Sequence, residues 1–455
     1  YTKLFLPSEY GVINLINVTL TVLYTIVIFG LDNSAALWYY KTESEEERKK
    51  TFTTWICFHF VFSLLICLPL LIYPSIISYK LTGNSSHRML LIIASFNFPF
   101  WTFQKIVNMW FRLRRKPYHA VGYALLITST TLGFSLLFVL VLKWGLEGVF
   151  YAQLSASLIA CCIGFYVLRK IFVLRFFDKG RLKEMILYSS PLVPAAICTW
   201  ALTSASSYFL KSFKNIHEVG LYQIGVNIAS LSNIVISAFL QAWAPFALSI
   251  HKEKNHKSIY STVFSLYTIL GSIVVCGIFI FSHEILILFT SPTYYSAFWV
   301  AGIFSINILI TGVYQITSIG CNLTGTNKPY GIAVLFGAAF SLLFFYLLIP
   351  LFGKEGAAIT STLSNAFVAW YVSNKAQKLY PIPYDFFSFM LVIVFLFIIS
   401  IAANICTEEM SGFFLFTTKA LFFLFFIISI YIYFIKVKRV FYLFNLSQII
   451  QSKVE

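Results

Sequence analysis

The chain has 455 residues, of which 59% are hydrophobic and only 11% charged, with a formal net charge of +16. Together with a mean hydropathy of +0.82, this leaves far more apolar surface than a water-soluble fold can bury and excludes a soluble globular enzyme or binding domain. Solid apolar runs of about twenty residues also exclude a β-barrel, whose strands alternate in polarity.

The expected fold class is therefore an all-α polytopic membrane protein. Thirteen spans can be drawn in chain order: Glu9 to Trp38, Phe52 to Ile77, Met89 to Phe111, Val121 to Leu142, Val149 to Leu168, Tyr188 to Leu210, Leu221 to Leu248, Ile259 to Phe289, Phe298 to Cys321, Tyr330 to Pro350, Ala357 to Ser373, Phe386 to Ile405 and Gly412 to Ile435. The linkers are too short for a separate soluble domain.

Orientation follows from Lys and Arg. With the loop of Lys41, Arg48, Lys49 and Lys50 taken as cytoplasmic, alternate loops and the tail hold 24 of the 33 basic residues, and the opposite side holds 7. This asymmetry puts the first residue outside and the C-terminus inside. A chain that begins outside with no charged leader before Tyr1 leads us to expect one further span upstream. The positive charge itself is explained by juxtamembrane stretches such as RLRRKPYH, Arg112 to His119, which meet anionic headgroups, so nucleic acid is not an expected partner. The eight cysteines lie mostly in apolar spans without CxxC or His spacing and read as buried hydrophobes, with no metal site expected.

Three landmarks recur. Glu9 and Gly11 return as Glu218 and Gly220, Lys116-Pro117-Tyr118 as Lys328-Pro329-Tyr330, and Gly145-Leu146-Glu147-Gly148 as Gly353-Lys354-Glu355-Gly356, at offsets of 209, 212 and 208. Repeats with an even number of spans have the same orientation. The expected organisation is an N-terminal lobe over residues 1–180, a C-terminal lobe over 181–385, and two additional helices with a cytoplasmic tail over 386–455. Each lobe would hold six helices once the upstream span is included.

Helical steps from Gln223 pass through Asn227, Ser230, Ile234, Ser237 and Gln241, and the same steps 209 residues earlier pass through Asn14, Val18, Thr21, Thr25, Ile28 and Asp32. Both sets keep one polar face. Hydroxyl and amide groups facing hydrocarbon are costly, so these faces must meet protein or water. They serve either as hydrogen-bonded glue between helices or as the walls of a hydrated cavity between two lobes.

The stretch SPLVPAAICTWALTSASSYFLKSF, Ser190 to Phe213, followed by EVGLYQIGVNIA and AFLQAWAPF, resembles polysaccharide-unit flippases of the multidrug/oligosaccharidyl-lipid/polysaccharide (MOP) superfamily. LFTSPTYYSA, Leu288 to Ala297, and the KPY entry at Lys328 extend the likeness over most of the chain. The resemblance implies two six-helix lobes working by alternating access, no catalytic residues, and a cargo of undecaprenyl-pyrophosphate-linked oligosaccharide. It further implies a bacterial cytoplasmic membrane setting, with membrane lipids, glycosyltransferases and a polymerase as partners. Many members carry an Asp-Arg pair where this chain has Ser206-Ser207, so a coupling role for that pair does not carry over.

Cargo of this kind suits a cavity lined by Asn14, Thr21, Thr25, Gln223, Asn227, Ser230, Ser237 and Gln241, with Trp101 and Trp200 as flat surfaces for sugar rings. Lys105, inside a span, is the expected cation for the diphosphate, and Lys211 is an outer receiver. Asp32, with Glu284 as a weaker second, is the expected coupling carboxylate for H⁺ or Na⁺; no other cofactor is expected. A lipid II flippase, a drug antiporter of the same superfamily and a membrane polysaccharide polymerase are the competing readings. The short outer loops without a nucleophile and base count against the polymerase.

Overall fold

The computed structural model describes residues 2–326 and 328–434, and among them only helical elements and connecting turns occur. Ten helices lie in the first part of the chain: α1 (Pro7–Ile28), α2 (Leu31–Lys41), α3 (Glu45–Ile72), α4 (Pro74–Thr82), α5 (Arg88–Leu113), α6 (Pro117–Ser135), α7 (Gly145–Leu168), α8 (Lys179–Ser189), α9 (Leu192–Ser204) and α10 (Ser206–Phe213). Nine follow: α11 (Ile216–Ala229), α12 (Leu231–Ile250), α13 (His256–Ile280), α14 (Ser282–Phe289), α15 (Phe298–Thr317), α16 (Ile319–Leu323), α17 (Lys328–Leu379), α18 (Phe386–Cys406) and α19 (Gly412–Ile432). The basic tail after Ile435, used above for orientation, lies outside the described residues.

Eleven helical segments among the described residues are long and apolar enough to cross a membrane, and the bent pair α8 and α9, 52° apart, makes a twelfth. The 52-residue α17 is itself two crossings, because Gly353 leaves helical geometry with φ 57° and ψ −132°. A Cβ on Gly356 would lie 2.4 Å from the Leu348 carbonyl oxygen. Residues eight apart on a straight helix are about 12 Å distant, so the chain doubles back here. With that turn, the thirteen expected spans all have helical counterparts, and this is a multi-pass membrane protein.

The repeat is conformational as well as verbal. Gly145 has φ 58° and Gly353 φ 57°, a left-handed geometry that side chains disfavour. Gly148, like Gly356, faces a backbone carbonyl, with its Cβ position 3.1 Å from the Phe138 oxygen. In the second copy the first and third landmarks also touch. The Glu218 carboxylate accepts from the Lys354 N–H at 3.2 Å and pairs with its Nζ at 3.5 Å. Both KPY motifs start helices, with Pro117 and Pro329 where a missing N–H costs nothing.

The chain divides into two compact units, residues 11–211 and residues 1–10 with 212–455, whereas the lobe boundary expected from sequence is at 180. Bonds from α8 and α10 back to the first helices account for the difference. Trp38 Nε1 donates to Glu184 at 3.1 Å and the Ser189 hydroxyl to the Gly30 carbonyl at 3.0 Å. Farther along, the Ser207 hydroxyl and the Tyr208 hydroxyl meet Asn14 and Thr19.

Within residues 11–211 the core is aromatic, with Phe52 packed edge-on against Trp110 (4.8 Å) and Trp55 (5.6 Å). At the edge of this core, Glu45 pairs with Arg114 at 2.9 Å and Glu47 with Arg181 at 2.6 Å, tying α3 to α5 and α8. Part of the basic charge read as juxtamembrane is thus matched internally. Within the second unit, small residues bring α13 and α15 together: a Cβ on Gly302 would strike the Phe279 ring, and one on Gly312 the Tyr267 ring. Close approach of this kind replaces the hydrophobic drive that lipid does not supply.

Two helix breaks modify the polar stripes. α1 stops at Phe29 and Gly30, with φ 51° and 67°, so Asp32 opens α2 and does not continue the face of Asn14 to Ile28. The second stripe is divided at Ser230 between α11 and α12. There Ser230 and Ser232 bond back to the Val226 and Ala229 carbonyls at 2.8 and 2.6 Å, the side-chain competition that unsettles helix interiors.

Because the Gly356 turn has no room for a Cβ, Gly356→Ala is expected to lower stability by about 2–3 kcal/mol. Gly148→Ala, at 3.1 Å from its carbonyl, is expected to cost less. Thermal unfolding of the two purified variants in one detergent checks the order.

Candidate functional site

In the unit of residues 11–211, the α1–α2 break places Asp32 in the first turn of α2, where unpaired N–H groups favour a carboxylate. Lys105, from α5, brings its Nζ within 3.5 Å of Asp32 Oδ2. The cation and the carboxylate singled out separately from sequence therefore form one ion pair. Its members are unequally accessible: the Lys105 side chain is 43% exposed and that of Asp32 21%. His59 is fully buried beside them, with Nδ1 3.1 Å from the Trp55 carbonyl. Tyr24 and His59 both lie within reach of the Asp32 charge.

Elsewhere on α1 stands a second polar cluster, built around Asn14, which was expected on a cavity face and instead packs against partners that the sequence did not reveal. Asn14 is buried and its amide donates to the Ser207 hydroxyl at 3.0 Å. Thr19 and Tyr208 share a hydrogen bond of 2.8 Å, and the Tyr208 ring lies 6.0 Å from Trp200. Ser206 and Ser207, which replace the charged pair of the resembling family, are both buried, and Ser207 accepts from an amide where a charge would need a counter-ion. Thr21 and Thr25 return their hydroxyls to the Asn17 and Thr21 carbonyls at 2.8 and 2.9 Å. Trp101 is half-buried on α5. Lys211 donates to the Lys80 carbonyl at 2.9 Å.

In the other unit the second stripe remains largely open. Asn227, Ser230 and Gln241 are exposed, and Gln223 and Ser237 half-buried. Gln223 donates to Asn227 at 2.9 Å, and Asn227 in turn to the Tyr10 hydroxyl at 2.9 Å. Glu284 meets Lys419 at 2.8 Å, and the same ammonium donates to Asn404 Oδ1 at 3.0 Å. Lys419 is buried. Its signal was present in FTTKALFF, where a lysine inside an apolar run requires a partner. No cluster of metal-ligating residues occurs among the described residues.

A sequence profile described as polysaccharide biosynthesis protein matches residues 1–251, more than half of the chain. The chain belongs to that family. Its fold is similar to that of the lipid II flippase MurJ in an inward closed conformation, with a TM-score of 0.76 at 14% identity over 96% of this chain and 94% of the other. It is also similar to an inward-facing multidrug resistance MATE family transporter of the MOP superfamily, with a TM-score of 0.71 at 14% identity over 82% of this chain and 90% of the other. The fold is thus the MOP fold. None of the curated proteins matches the sequence.

Removing the Ser207 hydroxyl by Ser207→Ala would strand the buried Asn14 amide and is expected to cost about 1–2 kcal/mol. The Asn14→Leu, Ser207→Ala double variant is expected to regain part of that loss. A double-mutant cycle by thermal unfolding measures the coupling.

Proposed function

We propose that this protein moves lipid-linked oligosaccharide repeat units from the inner to the outer leaflet of a bacterial cytoplasmic membrane for cell-surface polysaccharide assembly. It does so by alternating access, as a transporter and not an enzyme, with its C-terminus cytoplasmic. The family membership and the MOP fold support a role of this class. The oligosaccharide needs hydrogen-bonding walls because each unpaired hydroxyl costs several kcal/mol in hydrocarbon. The exposed amides and hydroxyls of Asn227, Ser230 and Gln241 are groups of the required kind.

The Asp32–Lys105 pair at 3.5 Å carries the coupling part of the reading. Lys105 is the exposed member, within reach of a diphosphate, but its charge is already directed at Asp32. Diphosphate and carboxylate therefore compete for one ammonium. Neutralising Asp32 with H⁺ or Na⁺ frees Lys105 for the anionic cargo, and departure of the ion returns Lys105 to Asp32 and weakens cargo binding. Ion and cargo are thereby linked through a single pair, as reciprocal coupling requires.

The test is transport of a fluorescent polyprenyl-diphosphate oligosaccharide in proteoliposomes. Lys105→Met is expected to lower cargo affinity by about tenfold or more, from loss of a charge-assisted contact. Asp32→Asn is expected to retain cargo binding while abolishing its dependence on pH and Na⁺. Undiminished gradient dependence in Asp32→Asn would remove the coupling mechanism, and absence of cargo transport by the wild-type protein would remove the function itself.

A further inference from the structure

A cavity of about 320 Å³ lies in the second unit where α18 ends and α19 begins, lined among others by Trp299, Asn404, Ile405, Glu408, Met410 and Lys419. Its position, at the turn joining two membrane helices, is headgroup depth and not hydrocarbon depth. The walls are of two kinds. Ile405 and Met410 are 59% and 40% exposed apolar side chains, which suits a border with acyl chains. Lys419 and Glu408, by contrast, bring opposite charges to the same cavity, and the His283 imidazole lines it as well.

The balance of those charges selects the ligand. Lys419 is only 3% exposed at its side chain and its ammonium is already held by Glu284 at 2.8 Å and Asn404 at 3.0 Å. Two of its three N–H donors are thus used, and among the described residues the third has no partner, which suits a single phosphate oxygen. Glu408 is exposed and its charge, unlike that of Glu284, is not matched by any ion pair found among the described residues. Among the lining residues, which also include His283, Lys419 is already neutralised by Glu284 from behind the wall, so the unmatched carboxylate of Glu408 favours a headgroup with a cationic end over a purely anionic one. Trp299 adds an aromatic face, which attracts ammonium groups.

We infer that this cavity seats the headgroup of a phospholipid bearing a primary amine, with its phosphate toward Lys419 and its ammonium toward Glu408 and Trp299. The inference is independent of the cargo proposed above, because it concerns only the second unit and a resident lipid. It would make the α18–α19 turn a lipid-reading element of the protein.

Native mass spectrometry of the full-length protein released from nanodiscs tests it, with phosphatidylethanolamine, phosphatidylglycerol and phosphatidylcholine in equal amounts. Retention of phosphatidylethanolamine above both others is expected, since the trimethylated amine of phosphatidylcholine has no N–H for Glu408. Glu408→Gln is expected to reduce that preference about fivefold, whereas Glu409→Gln, one residue outside the lining, leaves it intact. Equal retention of the three lipids, or an unchanged preference in Glu408→Gln, would overturn the assignment. Release of the bound lipid by soluble phosphoethanolamine would assign the site to a free ligand and overturn the lipid source.

Discussion

A charge inside a bilayer has no water to complement it, and each ionised side chain in a span must find its counter-charge within the chain. Two lysines inside spans, and a third in the turn between two spans, show how that constraint organises this protein. Lys105 meets Asp32, Lys354 meets Glu218 and Lys419 meets Glu284, at 3.5, 3.5 and 2.8 Å. Their side-chain exposures of 43%, 11% and 3% separate their roles. A deeply buried pair gains little net stability, because desolvation offsets attraction, but breaking it is costly, so it fixes one arrangement of helices. Lys419 is of that kind, and it fastens α19 to α14 and α18. Lys354 fastens the Gly353 turn to α11. Only Lys105 remains open enough to exchange its partner for a ligand.

The same constraint governs the backbone. Interrupting a helix frees carbonyls and N–H groups that must be bonded again. At the α1–α2 break the Gly30 carbonyl is taken by the Ser189 hydroxyl at 3.0 Å, and the first turn of α2 receives the Asp32 carboxylate. The break therefore favours an anion and positions it. At Ser230 the interruption is milder, with φ −63° and ψ −13°, and serine hydroxyls supply the local bonds. One interruption holds a charge beside a neutral serine bond, and the other is satisfied by neutral groups alone.

Much of this architecture was legible in the sequence because hydropathy and glycine carry direct physical signals. Apolar length gave the spans, and the two GxEG turns returned as matching left-handed glycines at Gly145 and Gly353. Periodicity was less reliable where it crossed a break: the step from Ile28 to Asp32 assumes an unbroken 3.6-residue turn, and Phe29 with Gly30 denies it. Partnerships were least legible. Asn14 with Ser207 and Thr19 with Tyr208 join positions 193 and 189 residues apart, and no local pattern announces such pairs. Nor could the lobe boundary at 180 anticipate that α10 bonds back to α1. Lys105 and Asp32 were each conspicuous as intramembrane charges, yet their pairing depends on the packing of α5, which spacing alone does not encode.

That pairing also clarifies an asymmetry between the two copies. The first copy carries Asp32 just beyond the break that ends its polar face, the second carries the neutral Gln241, and Ser206 and Ser207 add no charge. If ions drive the proposed transport, a mobile carboxylate is required, and the alternatives are constrained: Glu218 is committed to the Lys354 turn and Glu284 to the buried Lys419. Asp32 is bound to the most accessible of the three lysines. Its partner can leave for a diphosphate without exposing a second buried charge, because the N–H groups at the start of α2 continue to face the carboxylate while an ion replaces Lys105. A coupling carboxylate at the start of an interrupted helix can thus change partners at smaller electrostatic cost than one in the middle of an intact span.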